Sequence, residues 1–109
     1  MFPQLLGLGH SPTAIHYGIQ GIEEARAYYG HPVLGARLGF CTRTVLLHRE
    51  RSANYIFGYP DDLKFLSSMT LFDAVDGTPN NVFATALTLF YGDSRDERTL
   101  ALLRVGSLR

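Results

Sequence analysis

Apolar side chains recur at helical spacing through most of this chain, and glycine or proline separates one periodic segment from the next. The clearest segment places four residues at i, i+4, i+7 and i+11, on one helical face: Leu34, Leu38, Cys41 and Val45. Comparable patterns with matching caps occur in at least four segments. The sequence therefore predicts an all-α fold, a compact single domain spanning residues 1–109 with about six or seven short helices and strands at most vestigial.

Caps and breaks give the expected helix bounds. We expect a short helix from Ser11-Pro12 to about Tyr17, then Ile22 to Tyr29, Val33 to His48, one turn after Ser52, Pro60 to about Val75, a helix capped by Thr78-Pro79 through Phe90, and a last helix opened by a Ser94-x-x-Glu97 capping box. The helix from Val33 to His48 is expected to be the longest and the central one. Its glycines, Gly35 and Gly39, indicate either a close helix crossing or simply a weaker helix.

Composition limits the class of protein. A chain of 109 residues with 46% hydrophobic and 18% charged residues is long enough for one globular core. Ten basic residues balance ten acidic ones, which argues against a general nucleic-acid or membrane-surface binder. The single cysteine, Cys41, cannot form an internal disulfide, and the first residues lack the basic start of a signal peptide. We therefore expect a cytoplasmic protein without nucleic-acid or membrane partners.

The stretch from Gly58 to Phe72 is the first place to look for a site. Its Asp61 and Asp62 follow a proline, and Lys64 is the only lysine in the chain. One interpretation is structural: carboxylates complement the dipole of a first helical turn, and Asp61 pairs with Lys64 at i+3. The other is a small anionic ligand held by Lys64, with a carboxylate that hydrogen-bonds a sugar or acts as a base. Before any resemblance is considered, the structural interpretation is favoured.

The candidate ligand site also takes in hydroxyl groups and a glycine-rich turn. Ser67 and Ser68 follow Lys64, and the turn Gly7-Leu-Gly-His-Ser11 adds His10 and Ser11. A phosphate loop is one interpretation of that turn, but the spacing fits no dinucleotide or Walker pattern, so a plain turn and helix cap is favoured. The four histidines lack zinc spacing, and Cys41 is better explained as a buried apolar residue than as a nucleophile. We predict no metal and no cofactor.

Several unusual strings, in order, resemble one family: Phe2-Pro-Gln-Leu with Gly7-Leu-Gly9, Glu24-Ala-Arg-Ala-Tyr28, His31-Pro-Val-Leu-Gly35, Ile56-Phe-Gly58, and Pro60-Asp-Asp-Leu-Lys-Phe65 with Ser67-Ser-Met-Thr-Leu-Phe72. The chain is identified as a member of domain of unknown function 1810, a bacterial and fungal family often mislabelled calpastatin. The resemblance implies a compact, all-helical, cytosolic domain and supplies no activity, substrate or cofactor. A calpastatin-like inhibitor would be disordered and repetitive, whereas this chain is apolar and unrepeated.

Members of that family usually carry a further helical region, with a tryptophan, before the Phe-Pro-Gln-Leu string. This chain begins at that string and has no tryptophan. Three functions stay open: a domain for a small anionic ligand such as a nucleotide or ADP-ribose-like molecule, a non-catalytic protein-interaction module, or a truncated domain without independent activity. A helix lost from the start would uncover apolar surface, so we expect a homodimer, or aggregation, through the arm from Met1 to Gly9.

Overall fold

Six α-helices make up most of what the computed structural model describes, namely residues 2–4, 19 and 21–107. In chain order they are α1 (Ile22–Gly30), α2 (Leu34–Leu46), α3 (Ala53–Phe57), α4 (Asp61–Asp76), α5 (Val82–Tyr91) and α6 (Glu97–Ser107). Within the described ranges no strand is present, and the one bridge residue is Ile19, whose amide donates to the Gln4 carbonyl at 2.9 Å. The all-α prediction is confirmed. The helix expected from Ser11 lies outside the described residues.

Helix α4 is the centre of the fold, which corrects the expectation that the helix from Val33 to His48 would be. It is 16 residues long against 13 for α2, and it packs against α1, α3, α5 and α6. All six residues from Ser67 to Phe72 are buried, so this part of α4 is enclosed on every side. This burial was not predictable from the sequence, because the segment contains two serines and a threonine, and polar residues normally mark a solvent-exposed face.

Phenylalanine rings pack against one another at the centre of the core. Phe65 packs against Phe2 and Phe57 with ring centroids 4.9 and 4.8 Å apart, and Phe72 lies 5.7 Å from Phe83. The radius of gyration is 13.0 Å, which is the value of about 13 Å expected for a compact chain of this length. The largest fully buried side chains are Phe65, Phe72, Phe83, Leu38, Met69, Leu71 and Leu87.

Two of the expected helix caps are wrong. Helix α5 is capped by Asn81, whose Oδ1 accepts from the amides of Phe83 and Ala84, each at 2.9 Å, and not by Thr78-Pro79. Helix α6 begins after Asp96, whose Oδ2 accepts from the Thr99 amide at 3.0 Å, and not at the Ser94 capping box. Both caps lie beside α4, and contacts with that helix select them.

A polar seam joins α4 to the start of α5 and α6. Asp73 accepts from the Asn81 side-chain amide at 2.8 Å and pairs with Arg95 at 3.1 Å. One turn earlier on α4, the Thr70 hydroxyl accepts from the Asp96 amide at 2.9 Å. The residues that cap α5 and α6 are therefore those that reach α4.

The two glycines of α2 differ in their surroundings. A Cβ on Gly35 would lie 1.9 Å from the Tyr29 carbonyl oxygen, so α1 and α2 approach here as closely as backbone allows. A Cβ on Gly39 would lie 3.1 Å from the guanidinium of Arg43, which is the end of a flexible side chain. The expected close crossing is thus present at Gly35 alone. Among the described residues, no helix is both long and apolar enough to cross a bilayer.

Candidate functional site

Asp61 and Lys64 lie on the exposed surface at the start of α4. Lys64 Nζ is 3.7 Å from Asp61 Oδ1, and the two side chains are 49% and 62% exposed. This is the i, i+3 pair that the structural interpretation of the sequence expects. At that exposure and distance an ion pair stabilises a protein by less than about 1 kcal/mol. Lys64 is therefore accessible to a stronger anionic partner.

Asp62 is held by the protein. Its Oδ2 accepts from the Asn54 side-chain amide at 3.3 Å, and its Oδ1 accepts from the Leu63 amide at 2.9 Å. Its backbone carbonyl accepts from the Tyr91 hydroxyl at 2.5 Å. Burial of that hydroxyl, with a smaller effect of the Asp62 charge, raises the pKa of Tyr91 above its usual range. Asp62 thus fastens α4 to α3 and α5, while Asp61 faces solvent.

Ser67 is also part of the framework. Its hydroxyl lies 3.1 Å from the Leu63 carbonyl oxygen and 3.1 Å from Asp96 Oδ2. The same Asp96 oxygen accepts from the Thr99 hydroxyl at 2.5 Å. Ser67 therefore points toward the start of α6 and belongs to the polar seam.

Ser68 is different, because its hydroxyl has no partner in the part of the chain that the structure describes. The residue is fully buried, and its Oγ makes no hydrogen bond, even to the carbonyl one turn earlier. A buried hydroxyl left without a hydrogen bond costs about 1–3 kcal/mol. Ser68 is four residues after Lys64, and Lys64 is three after Asp61, so the three occupy one stripe of α4.

The remaining predicted site residues, His10 and Ser11, lie outside the described residues. Of the histidines that are described, His31 accepts at Nδ1 from the amides of Val33 and Leu34, each at 3.1 Å, and so caps the start of α2. Within the described ranges, no three His, Cys, Asp or Glu side chains come together as a metal site would require.

A groove of about 640 Å³ runs along α2, and the sequence analysis missed it. Cys41 is one of the residues that line the groove. Its side chain is half-buried, whereas the apolar stripe in the sequence suggested full burial. Burial raises the pKa of the Tyr28 hydroxyl, and the charge interaction with Cys41 adds a smaller increase. The positive charge of Arg37 acts in the opposite direction. The signal that could have revealed the groove is Phe40, an aromatic residue that falls off the stripe of α2. The residues that chiefly line the groove are Tyr28, Leu34, Arg37, Phe40, Cys41 and Arg43.

The fold and the surface features together define a compact all-helical domain with an ionic pair at the start of its central helix and a basic groove on α2. The family model described as "Protein of unknown function (DUF1810)" matches residues 1–103. The chain belongs to this family, as the resemblance in the sequence implied. No curated protein matches the chain.

A solved structure of similar fold supports the assignment. It is the crystal structure of the conserved hypothetical protein Rv1873 from Mycobacterium tuberculosis, with a TM-score of 0.89 and 52% sequence identity. The match covers 94% of this chain and 73% of that one. The family model identifies the family, the solved structure agrees with it in fold, and neither assigns an activity.

Proposed function

We propose that this domain binds a small anionic ligand of the nucleotide or ADP-ribose-like class at the exposed start of α4, with Lys64 and Asp61 as its contacts and Ser68 one turn deeper on the same stripe. The observation that carries the proposal is the fully buried Ser68 hydroxyl without a hydrogen-bond partner among the described residues. It lies one turn below the only lysine of the chain. Unsatisfied buried polar groups are uncommon in folded proteins, and a functional role is one of the explanations for them.

The chemistry of the stripe suits such a ligand. The Lys64 ammonium is a compact charge with three donors, which suits phosphate oxygens. Its present partner, Asp61, holds it at 3.7 Å on the surface, so a phosphate could displace that contact at low cost. The displaced Asp61 carboxylate is an acceptor for sugar hydroxyls.

The neighbouring residues hold the stripe in place. Asp62 and Ser67 are occupied by contacts with α3, α5 and α6, so we assign them a supporting role and no direct contact with the ligand. His10 and Ser11 stay predicted members of the site. A non-catalytic protein-interaction module remains the second candidate, and the exposed apolar residues of α2 favour it.

A thermal-shift titration tests the proposal with AMP, ADP-ribose, ribose 5-phosphate and inorganic phosphate. Stabilisation by a ligand at 100 times its Kd would be about 2.7 kcal/mol. We expect Lys64→Ala to abolish the ligand-induced shift and to change the stability of the free protein by less than about 1 kcal/mol. Ser68→Ala should reduce the shift and leave the free protein equally stable or more stable, because it removes a buried unpaired hydroxyl.

The matched control is Arg26→Ala. Arg26 pairs with Glu23 at i, i+3 on the exposed surface of α1, at 3.1 Å, and so resembles Lys64 in spacing and exposure. Its loss should leave the ligand-induced shift intact. A panel that gives no shift with the wild-type chain, or a shift that survives Lys64→Ala, would refute the proposal. A collapse of the free Lys64→Ala protein would make the lysine structural.

We also propose that the protein acts in the cytoplasm, without nucleic-acid partners, and forms a homodimer through the arm from Met1 to Gly9. Only residues 2–4 of that arm are described, and there Phe2 packs on Phe57 and Phe65 of its own chain. Phe2 therefore has packing partners within its own chain. Light scattering on a size-exclusion column decides between a dimer and a monomer of 12.1 kDa.

A further inference from the structure

The solvent side of α2 carries a row of large apolar side chains. Val33, Phe40 and Leu47 are 49%, 64% and 71% exposed. They are seven residues apart, and helical backbone angles continue through Val33 before α2 and Leu47 after it. Side chains at this spacing fall within about 20° of one line along a helix. The row therefore forms one ridge about 21 Å long.

Arginines flank the ridge on both sides. Arg37 lies three residues before Phe40 and Arg43 three residues after it, so they project about 60° to either side of it. Both are exposed, and neither forms an ion pair with a described residue. The thirteen residues of α2 contain no aspartate or glutamate. Three more basic residues follow the helix with one acidic residue: His48, Arg49 and Arg51, with Glu50.

From this pattern we infer that the α2 face docks an acidic amphipathic helix of another protein, which lays its apolar residues along Val33, Phe40 and Leu47. The inference goes beyond the ligand site on α4. A straight ridge with heptad spacing matches the side-by-side packing of two helices. The adjoining groove of about 640 Å³ offers space for side chains of the bound helix. The charge on the rim selects carboxylates on the partner.

Charge also disfavours a second copy of this chain on the same face. In a two-fold antiparallel pairing centred on Phe40, each Arg37 would lie on the same flank of the interface as the partner's Arg37, and each Arg43 on the same flank as the partner's Arg43. Parallel pairing would put Arg37 of one copy and Arg43 of the other on the same flank. Either arrangement opposes like charges where apolar surface is being buried, which costs free energy. An acidic partner converts the same positions into attractive contacts.

Fluorescence anisotropy with two synthetic peptides tests the inference. Each peptide has about three heptads with Leu at a and d, and one carries Glu at e and g where the other carries Lys. We expect the wild-type chain to bind the Glu peptide more tightly than the Lys peptide. Binding of the Glu peptide should weaken at high salt, because salt screens the charges. Phe40→Ser should weaken that binding about tenfold or more, since it removes the central anchor. The double variant Arg37→Glu, Arg43→Glu should reverse the preference and bind the Lys peptide.

The control is Leu63→Ser on α4, which removes an exposed leucine of 48% exposure from a different helix and should not affect binding. Equal binding of the two peptides, or a preference that the double variant does not reverse, overturns the inference. It is overturned too if light scattering finds a dimer that Phe40→Ser dissociates. Binding to phosphatidylserine vesicles that the double variant abolishes, without selective Glu-peptide binding, would assign the face to a membrane surface instead.

Discussion

The Tyr29 hydroxyl donates a hydrogen bond of 2.5 Å to Asp76 Oδ2, across 47 residues of sequence. The bond joins the end of α1 to the end of α4, and the Tyr29 ring also packs 5.5 Å from Phe83. The other Asp76 oxygen accepts from the Thr78 amide and hydroxyl, which closes the turn after α4. One carboxylate thus holds three parts of the chain together.

Replacing Tyr29 by Phe should lower the free energy of unfolding by about 1 to 2 kcal/mol, because the ring contacts remain and only the bond to the carboxylate is lost. In a chain of this size, 1 kcal/mol shifts Tm by roughly 4–8 °C. Urea or thermal unfolding measures it. Tyr59→Phe is the control, since Tyr59 is 78% exposed and should change Tm little. Equal Tm values for wild type and Tyr29→Phe would contradict this role.

The same contact predicts a pH window. The bond to Asp76, with burial second, raises the pKa of Tyr29 to about 12, and hydrogen bonds from Thr78 and then Tyr29 lower the pKa of Asp76 below 3.8. Above about pH 10 the unfolded tyrosine loses its proton while the folded one keeps it, so stability falls as pH rises toward 12. Below the unfolded pKa of Asp76 the unfolded carboxyl binds protons first, so stability falls as pH falls.

The stability difference between wild type and Tyr29→Phe should therefore be largest from about pH 5 to pH 10 and shrink outside that range. Unfolding midpoints measured at several pH values test this. A difference that stays constant from pH 6 to about pH 12 would show that the hydroxyl is not coupled to the Asp76 charge.

The start of α6 gives a direct test of which residue caps it. Asp96→Ala removes the acceptor of the Thr99 amide and of the Ser67 hydroxyl, and it should cost about 1–2 kcal/mol. Ser94→Ala removes the residue that the sequence pattern favoured and should cost less than about 0.5 kcal/mol. Chemical unfolding of the two variants decides between them. A larger loss of stability for Ser94→Ala than for Asp96→Ala would show that Ser94 caps α6, as the capping-box pattern predicted.

Sequence periodicity predicted helices such as α2 and α5 well because each of these two buries a stripe of its own residues. Leu38 is 1% exposed, as its spacing indicated, and Phe83 of α5 is fully buried. The caps were missed because Asn81 and Asp96 are selected by contacts with α4 that no local pattern contains. Long-range contacts of this kind override local preferences.

The candidate site was predictable only in part. Its composition drew attention to Asp61, Asp62 and Lys64, and the i, i+3 pair was expected from spacing alone. The structure also separates the two carboxylates, because Asp62 bonds the side chain of Asn54 while Asp61 faces solvent. The unpaired hydroxyl of Ser68 was not predictable, because it depends on what surrounds α4 on every side.

The glycines of α2 provide the sharpest test of the packing. Gly35→Ala would press a methyl group against the Tyr29 carbonyl oxygen, at 1.9 Å, and neither backbone can move without separating α1 from α2. We expect a loss of about 1–3 kcal/mol or more. Gly39→Ala meets only the end of the Arg43 side chain, at 3.1 Å, and its higher helix propensity should stabilise the protein by up to about 1 kcal/mol. Thermal unfolding of the two variants should therefore move Tm in opposite directions. If Gly35→Ala were as stable as wild type, the close contact between the two helices would be wrong.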